Sequence, residues 1–217
     1  MSDLIKLDLV DVDGAVREAE DHVAGDTRAA FFRKAAVGGG TLIGSGVLLS
    51  GFPMLAEAAP SKKQDVAILN YALTLEYLEA AFYNEALAKA GTQGVLLAAT
   101  KIIAKHENAH VTFLKKTLGS KAVKKPKFDF GGATSDPAAF LKTAVVLEDT
   151  GVTAYSGQAT RIKQAAVVKA AVSILTVEAR HAAYLRGLNN QTFAPRTFDK
   201  PATMKQVLKG AGPFIVK

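Results

Sequence analysis

Two Glu-x-x-His quartets carry the chemistry this chain could do: Glu107-Asn108-Ala109-His110 and Glu178-Ala179-Arg180-His181. A glutamate and a histidine three residues apart lie on one face of a helix. Each quartet therefore offers a carboxylate and an imidazole to the same point. A further glutamate precedes each at a repeated interval, Glu76 standing 31 residues before Glu107 and Glu148 standing 30 before Glu178. Set side by side, Ala72–Tyr83 and Ala144–Tyr155 place Ala, Leu, Glu and Tyr at the same steps. Glu79 falls opposite Gly151, so the repeat selects Glu76 as the matching carboxylate and leaves Glu79 beside the site or on the surface. Tyr83 and Tyr155 lie two turns further along the same faces. There they would hydrogen-bond the carboxylates, take part in electron transfer or fill the core.

The faces that carry these groups are otherwise apolar. Glu76 shares its stripe with Leu69, Leu73, Tyr83 and Leu87; Glu107 and His110 with Ile103 and Leu114; Glu178 with Ile174, Leu185 and Leu188. A lone carboxylate in such a stripe costs several kcal/mol or must be neutralised. Four carboxylates and two divalent cations balance. Glu76, Glu107, His110, Glu148, Glu178 and His181 are thus candidate ligands for two metal ions. Carboxylate and imidazole together suit iron or manganese, with zinc third. A competing motif overlaps the first quartet: His106-Glu107-Asn108-Ala109-His110 spells H-E-x-x-H, the zinc-protease signature. The second half carries Val177 at the step of His106, and a protease site would leave Glu178 and His181 unexplained.

The elements that must position these residues read as helices. Residues 61–90 form one, stopped by Gly91; residues 95–118 form a second, followed by Gly119. Only Gly91 to Gly94 joins them, so they pack antiparallel. Glu76 and Glu107 then both sit about 20 Å from the turn, at roughly 1.5 Å per residue. Asp136-Pro137 opens a third helix as N-cap and first residue, reaching Ala159. A fourth runs over 165–188 to Asn189-Asn190, and 203–209 forms a short fifth. The 17-residue basic segment 119–135 is long enough either to turn back or to cross the whole bundle. The predicted fold is all-α: a four-helix bundle of two antiparallel hairpins with a short C-terminal tail helix.

In these motifs the sequence resembles the ferritin-like superfamily, over roughly residues 62–190, and most of all the bacterial ferritin-like proteins called desiccation-related. The resemblance implies a dinuclear iron or manganese centre that reacts with oxygen or peroxide, as a ferroxidase, peroxidase or catalase in stress protection. The glutamates would bridge or terminally bind the ions and the histidines would be neutral nitrogen ligands. The alternatives are a non-enzymatic metal store and a basic protective bundle.

There are no cysteines, which excludes disulfides, iron–sulfur clusters, zinc–thiolate sites and thiol catalysis. A peroxidase of this kind would need an external electron donor. Residues 1–26 hold eight acids against Lys6 and Arg17, whereas residues 59–217 hold 22 Lys and Arg against 11 acids. The lysines of the basic part are scattered, with little aromatic surface between them. A solvated coat is favoured over a nucleic-acid surface, and a homo-oligomer stays open.

Between the two charge regimes lies Thr27-Arg28-Ala29-Ala30-Phe31-Phe32-Arg33-Lys34, then a Gly-rich apolar stretch from Val37 to Leu55, then Ala56-Glu57-Ala58-Ala59-Pro60. Basic, apolar and small-x-small regions in this order form an export signal. The run resembles a twin-arginine signal, with Ala29 in place of the second arginine. The expected division is 1–58, acidic lead and signal, and 59–217, the exported helical domain in the periplasm or cell envelope. Retained, the stretch would be a membrane anchor.

Overall fold

The computed structural model describes residues 60–216; the acidic lead and export signal lie outside the described residues. The chain forms α1 (Lys62–Lys89), α2 (Gly94–Leu118), α3 (Pro137–Gln158), α4 (Ala165–Leu188) and α5 (Met204–Ala211). No strand occurs among the described residues, where one isolated bridge pairs Phe128 with Ile215. None of these helices is long and apolar enough to cross a membrane.

Local chemistry sets the ends. The Ser61 hydroxyl accepts from Gln64 N and starts α1. The Asp136 carboxylate accepts from Ala138 N and Ala139 N, both at 2.9 Å, ahead of Pro137. Such caps satisfy amides that have no partner inside the helix. Gly91 (φ 61°) and Gly119 (φ 57°) take the left-handed conformation that ends α1 and α2. Thr203 and Gln206 form a capping box on α5, which runs two residues beyond the predicted end, to Ala211.

The 17-residue segment crosses the bundle. At its start Asn70 Nδ2 donates to Lys121 O (2.9 Å) and Val123 N donates to Asn70 Oδ1 (2.8 Å). At its end the Thr134 hydroxyl donates to Glu85 (2.7 Å). Asn70 and Glu85 are about 22 Å apart along α1, at 1.5 Å per residue. The segment therefore climbs the full height of the bundle, and α3 points the same way as α2. The tail returns over this strap: Val216 N bonds Lys127 O and Asp129 N bonds Phe214 O, both at 3.0 Å.

The apolar core has two parts. One gathers Phe82, Tyr83, Phe130 and Phe140, with Phe82 5.3 Å from both Phe130 and Phe140. The other holds Leu69, Leu73, Leu114, Tyr155 and Ile174. The polar cluster described below shares helix faces with both. Leu87 departs from its predicted inward stripe: it is 38% exposed. The reason lies in the crossover, because Thr134, just before α3, is already level with Glu85, so α3 offers no turn opposite Leu87.

Candidate metal centre

Each helix of the bundle brings part of one polar cluster into the core. α1 contributes Glu76, α2 Glu107 and His110, α3 Glu148, and α4 Glu178 and His181. All four glutamates are 0% exposed. Their ligand atoms fall into two groups, Glu76–Glu107–His110–Glu178 and Glu107–Glu148–Glu178–His181, with the atoms of each group within 4.8 Å of one another. Glu107 and Glu178 belong to both. The six side chains singled out from the sequence are thus brought together, with one carboxylate and one imidazole at each end and two carboxylates between.

The histidines point their Nδ1 atoms inward. His110 Nδ1 lies 3.1 Å from Glu76 Oε2, 3.2 Å from Glu107 Oε2 and 3.3 Å from Glu178 Oε1. His181 Nδ1 lies 3.0 Å from Glu148 Oε2 and 3.2 Å from Glu107 Oε1. Proximity is not pairing here. Glu107 Oε1 and both oxygens of Glu178 make no hydrogen bond among the described residues, since the nearby imidazoles lie at ion-pair distance but are not aligned as donors.

The electrostatics follow from packing carboxylates out of water. Burial first, then the charge of Glu107, push Glu76 up to about 7. Burial, then Glu148 and Glu76, hold Glu178 well above the usual carboxylate range. Glu148 is raised by burial, against the His181 hydrogen bond. Burial opposes charge on the imidazoles, but Glu107, Glu178 and Glu76 push His110 up to about 12, and Glu107 and Glu148 push His181 up to about 10. Without a cation the cluster reaches neutrality only by taking up protons. Its donor set, oxygen with imidazole nitrogen, is that of divalent iron, manganese or zinc, and such ions would displace the protons. The residues present therefore fit metal ions.

Residues 64–191 match the family model of the ferritin-like domain. The chain belongs to the ferritin-like domain family. No curated protein matches it.

Within this ferritin-like bundle the hairpins bond each other reciprocally. The Tyr83 hydroxyl of α1 donates to Glu148 of α3, and the Tyr155 hydroxyl of α3 donates to Glu76 of α1. Both tyrosines thus orient carboxylates of the cluster rather than merely filling the core.

Glu79 is not a surface charge. It is 2% exposed and faces the cluster, with its carboxyl held well above the usual range by burial and then by Glu178. Its place in the other hairpin is Gly151. A Cβ built there would lie 3.0 Å from Glu178 Oε2 and 3.4 Å from Glu79 Oε1. The missing side chain on α3 makes room for the extra one on α1.

His106 does not share an ion with His110. Its Nδ1 lies 2.9 Å from Nε2 of His181, and the two rings are nearly coplanar at 16°. The H-E-x-x-H spelling is therefore no zinc-protease site in this ferritin-like helix. Sequence reasoning missed what His106 does touch, because that contact depends on which helix lies against α2. An apolar depression of about 270 Å³, bounded by Ala99, Ile102, Ile103, Arg180 and Tyr184, reaches His181 from the α2–α4 side.

Proposed function

We propose that the chain is an exported dinuclear iron or manganese oxidoreductase that reacts with oxygen or peroxide. One observation carries the metal part of the reading: Glu178 is wholly buried, lies in both ligand groups, and has no hydrogen bond at either oxygen among the described residues. A buried carboxylate so placed costs several kcal/mol unless a cation meets it.

In this reading Glu107 and Glu178, which belong to both ligand groups, would help hold both ions, Glu76 and His110 would hold one of them, and Glu148 and His181 the other. Bound iron or manganese supplies the one-electron steps that apolar side chains and carboxylates lack. The protein's own part is positional. Tyr155 and Tyr83 hold Glu76 and Glu148 in one orientation. Leu73, Ile103 and Leu185, each nearly or wholly buried, keep bulk water from the cluster. The depression at His181 would admit a small oxidant. The chain has no cysteine to build an electron-transfer centre of its own, so peroxidase turnover would draw on an external donor. The export signal read over 27–60 would place the domain in the periplasm or cell envelope, where it would serve in oxidative stress.

The test is elemental analysis of the purified protein beside its Glu107→Ala variant, with oxygen- and peroxide-consumption assays on both. Close to two iron or manganese ions per chain, lost in the variant together with turnover, is the expected result. Two ions without turnover would favour a metal store instead, and no bound metal in the wild type would sink the reading.

A further inference from the structure

We propose that His106 is a positioning residue that makes the two halves of the metal centre unequal, so that the ion held by Glu148 and His181 binds more tightly and loads first. The inference rests on the dinuclear reading above and concerns a side chain that the ligand set does not include.

The argument begins with proton accounting on two imidazoles. The Nδ1 atom of His181 faces Glu148 Oε2 at 3.0 Å and Glu107 Oε1 at 3.2 Å, inside the ligand group. A metal ion bound there uses the Nδ1 lone pair, which leaves the ring's one proton on Nε2. That Nε2 lies 2.9 Å from His106 Nδ1. His181 is then the donor and His106 the acceptor, and the proton of His106 must sit on its own Nε2. One contact thus fixes the tautomers of both rings. A ligand imidazole whose outer N–H is taken by an acceptor is held in orientation and is a stronger base toward the metal.

His110 has no such support. Its Nδ1 faces Glu76, Glu107 and Glu178, and its other nitrogen makes no hydrogen bond among the described residues. The repeat explains the difference. His106 on α2 stands one residue before Glu107 and meets His181 on α4. The matching step on α4, one residue before Glu178, is Val177, which has no acceptor to offer His110. The inequality is therefore written in one residue of the repeat.

The experiment titrates the metal-free full-length chain with manganese(II), following free ion by electron paramagnetic resonance. Wild type should take up two ions in two steps. His106→Val, which gives α2 the residue that α4 already carries, should weaken the tighter step about 10- to 100-fold and leave the weaker step in place. His106→Asn, whose side-chain oxygen stands near the former Nδ1, should restore most of the loss. Unchanged steps in His106→Val, an equal loss in both steps, or no rescue by Asn would each overturn the inference while leaving the dinuclear reading intact. A wild-type chain that takes up no manganese would overturn both. A second measurement needs no variant: long-range proton–nitrogen NMR of the zinc-loaded wild type should show His181 protonated at Nε2 and His106 bare at Nδ1, and the reverse pattern would overturn the assignment.

Discussion

Hairpin α1–α2 and hairpin α3–α4 carry the same chemistry at matching steps and differ in the residues beside it. Both place Glu and Tyr on the first helix and Glu-x-x-His on the second. Both end with a tyrosine hydroxyl on the other hairpin's glutamate. Yet Glu79 is answered by Gly151, and His106 by Val177. The shared positions are those that must face a common point, because a ligand sphere is built by convergence from all sides. The unshared ones sit a step back, where a group on one side needs space on the other: Glu79 lies over the bare Cα of Gly151. Such a centre can have near-twofold ligation and still hold two ions in unequal surroundings.

The sharpest way to break that comparison is to separate the carboxylates shared by both halves from those that belong to one. Glu178→Ala removes a member of both ligand groups and should cost both ions. Glu148→Ala removes a member of one and should leave close to one ion per chain, bound at the Glu76–His110 end. Metal counting by mass spectrometry of the native protein decides it; equal losses in the two variants would mean that the groups are not distinct.

A smaller effect tests what joins the hairpins away from the carboxylate cluster. Asp65, wholly buried near the start of α1, accepts from Lys163 N (2.8 Å), Gln164 N (3.0 Å) and Gln164 Nε2 (2.9 Å) at the entrance to α4. Burial alone would raise its carboxyl, but these donors outweigh it and hold the group below its ordinary 3.8. Asp65→Ala should cost about 3 kcal/mol, since buried donors lose a charged acceptor. The sign of the pH dependence follows. A depressed folded-state value means the contribution is full above the unfolded carboxylate value near 3.9 and is lost as pH falls through the lower folded value. Urea melts of wild type and variant should differ most at neutral pH and converge under strongly acidic conditions.

Two glycines of α3 should then respond in opposite ways. A Cβ on Gly157 would come within 1.9 Å of the backbone oxygen of Ala202, whose amide is tied to Thr153 O at 3.0 Å. Backbone cannot swing aside as a side chain can, so Gly157→Ala should lose about 2 kcal/mol as the tail is pushed off α3. At Gly151 the obstacles are carboxylate ends. Gly151→Ala should keep its stability, with helix propensity offsetting the crowding, but lose metal affinity as Glu178 and Glu79 shift. Melting temperature and manganese affinity, measured on both variants, would show whether the two glycines serve packing and ligation separately.

The sequence made the helices, their caps and the six convergent residues readable, because these depend on local spacing and on a repeat visible within one chain. Three features were not readable, each for a reason of distance. A loop of 17 residues can turn back or cross, and only the bonds of Asn70 and Glu85 to its two ends decide between them. Glu79 could stand beside the site or on the surface, and only the space left by Gly151 on another helix decides for the site. His106 matched a known spelling, but its partner is 75 residues away on α4, and no spacing rule spans that gap.

The smallest expected effect bears on how alike the two halves are. Tyr83 and Tyr155 are buried, and each gives its hydroxyl to a glutamate of the opposite hairpin. Tyr→Phe keeps the ring and removes one hydrogen bond, which should cost about 1 kcal/mol at either position. The stability losses should therefore be near equal. The metal response should not be. Tyr155→Phe frees Glu76, at the end where His110 lacks an outer partner, while Tyr83→Phe frees Glu148, whose neighbour His181 is still held by His106. Affinity should drop more for Tyr155→Phe than for Tyr83→Phe, and that gap should close when both changes are made in a His106→Val background. Equal drops in the wild-type background would mean that the hairpins differ in sequence but not in how they hold their ions.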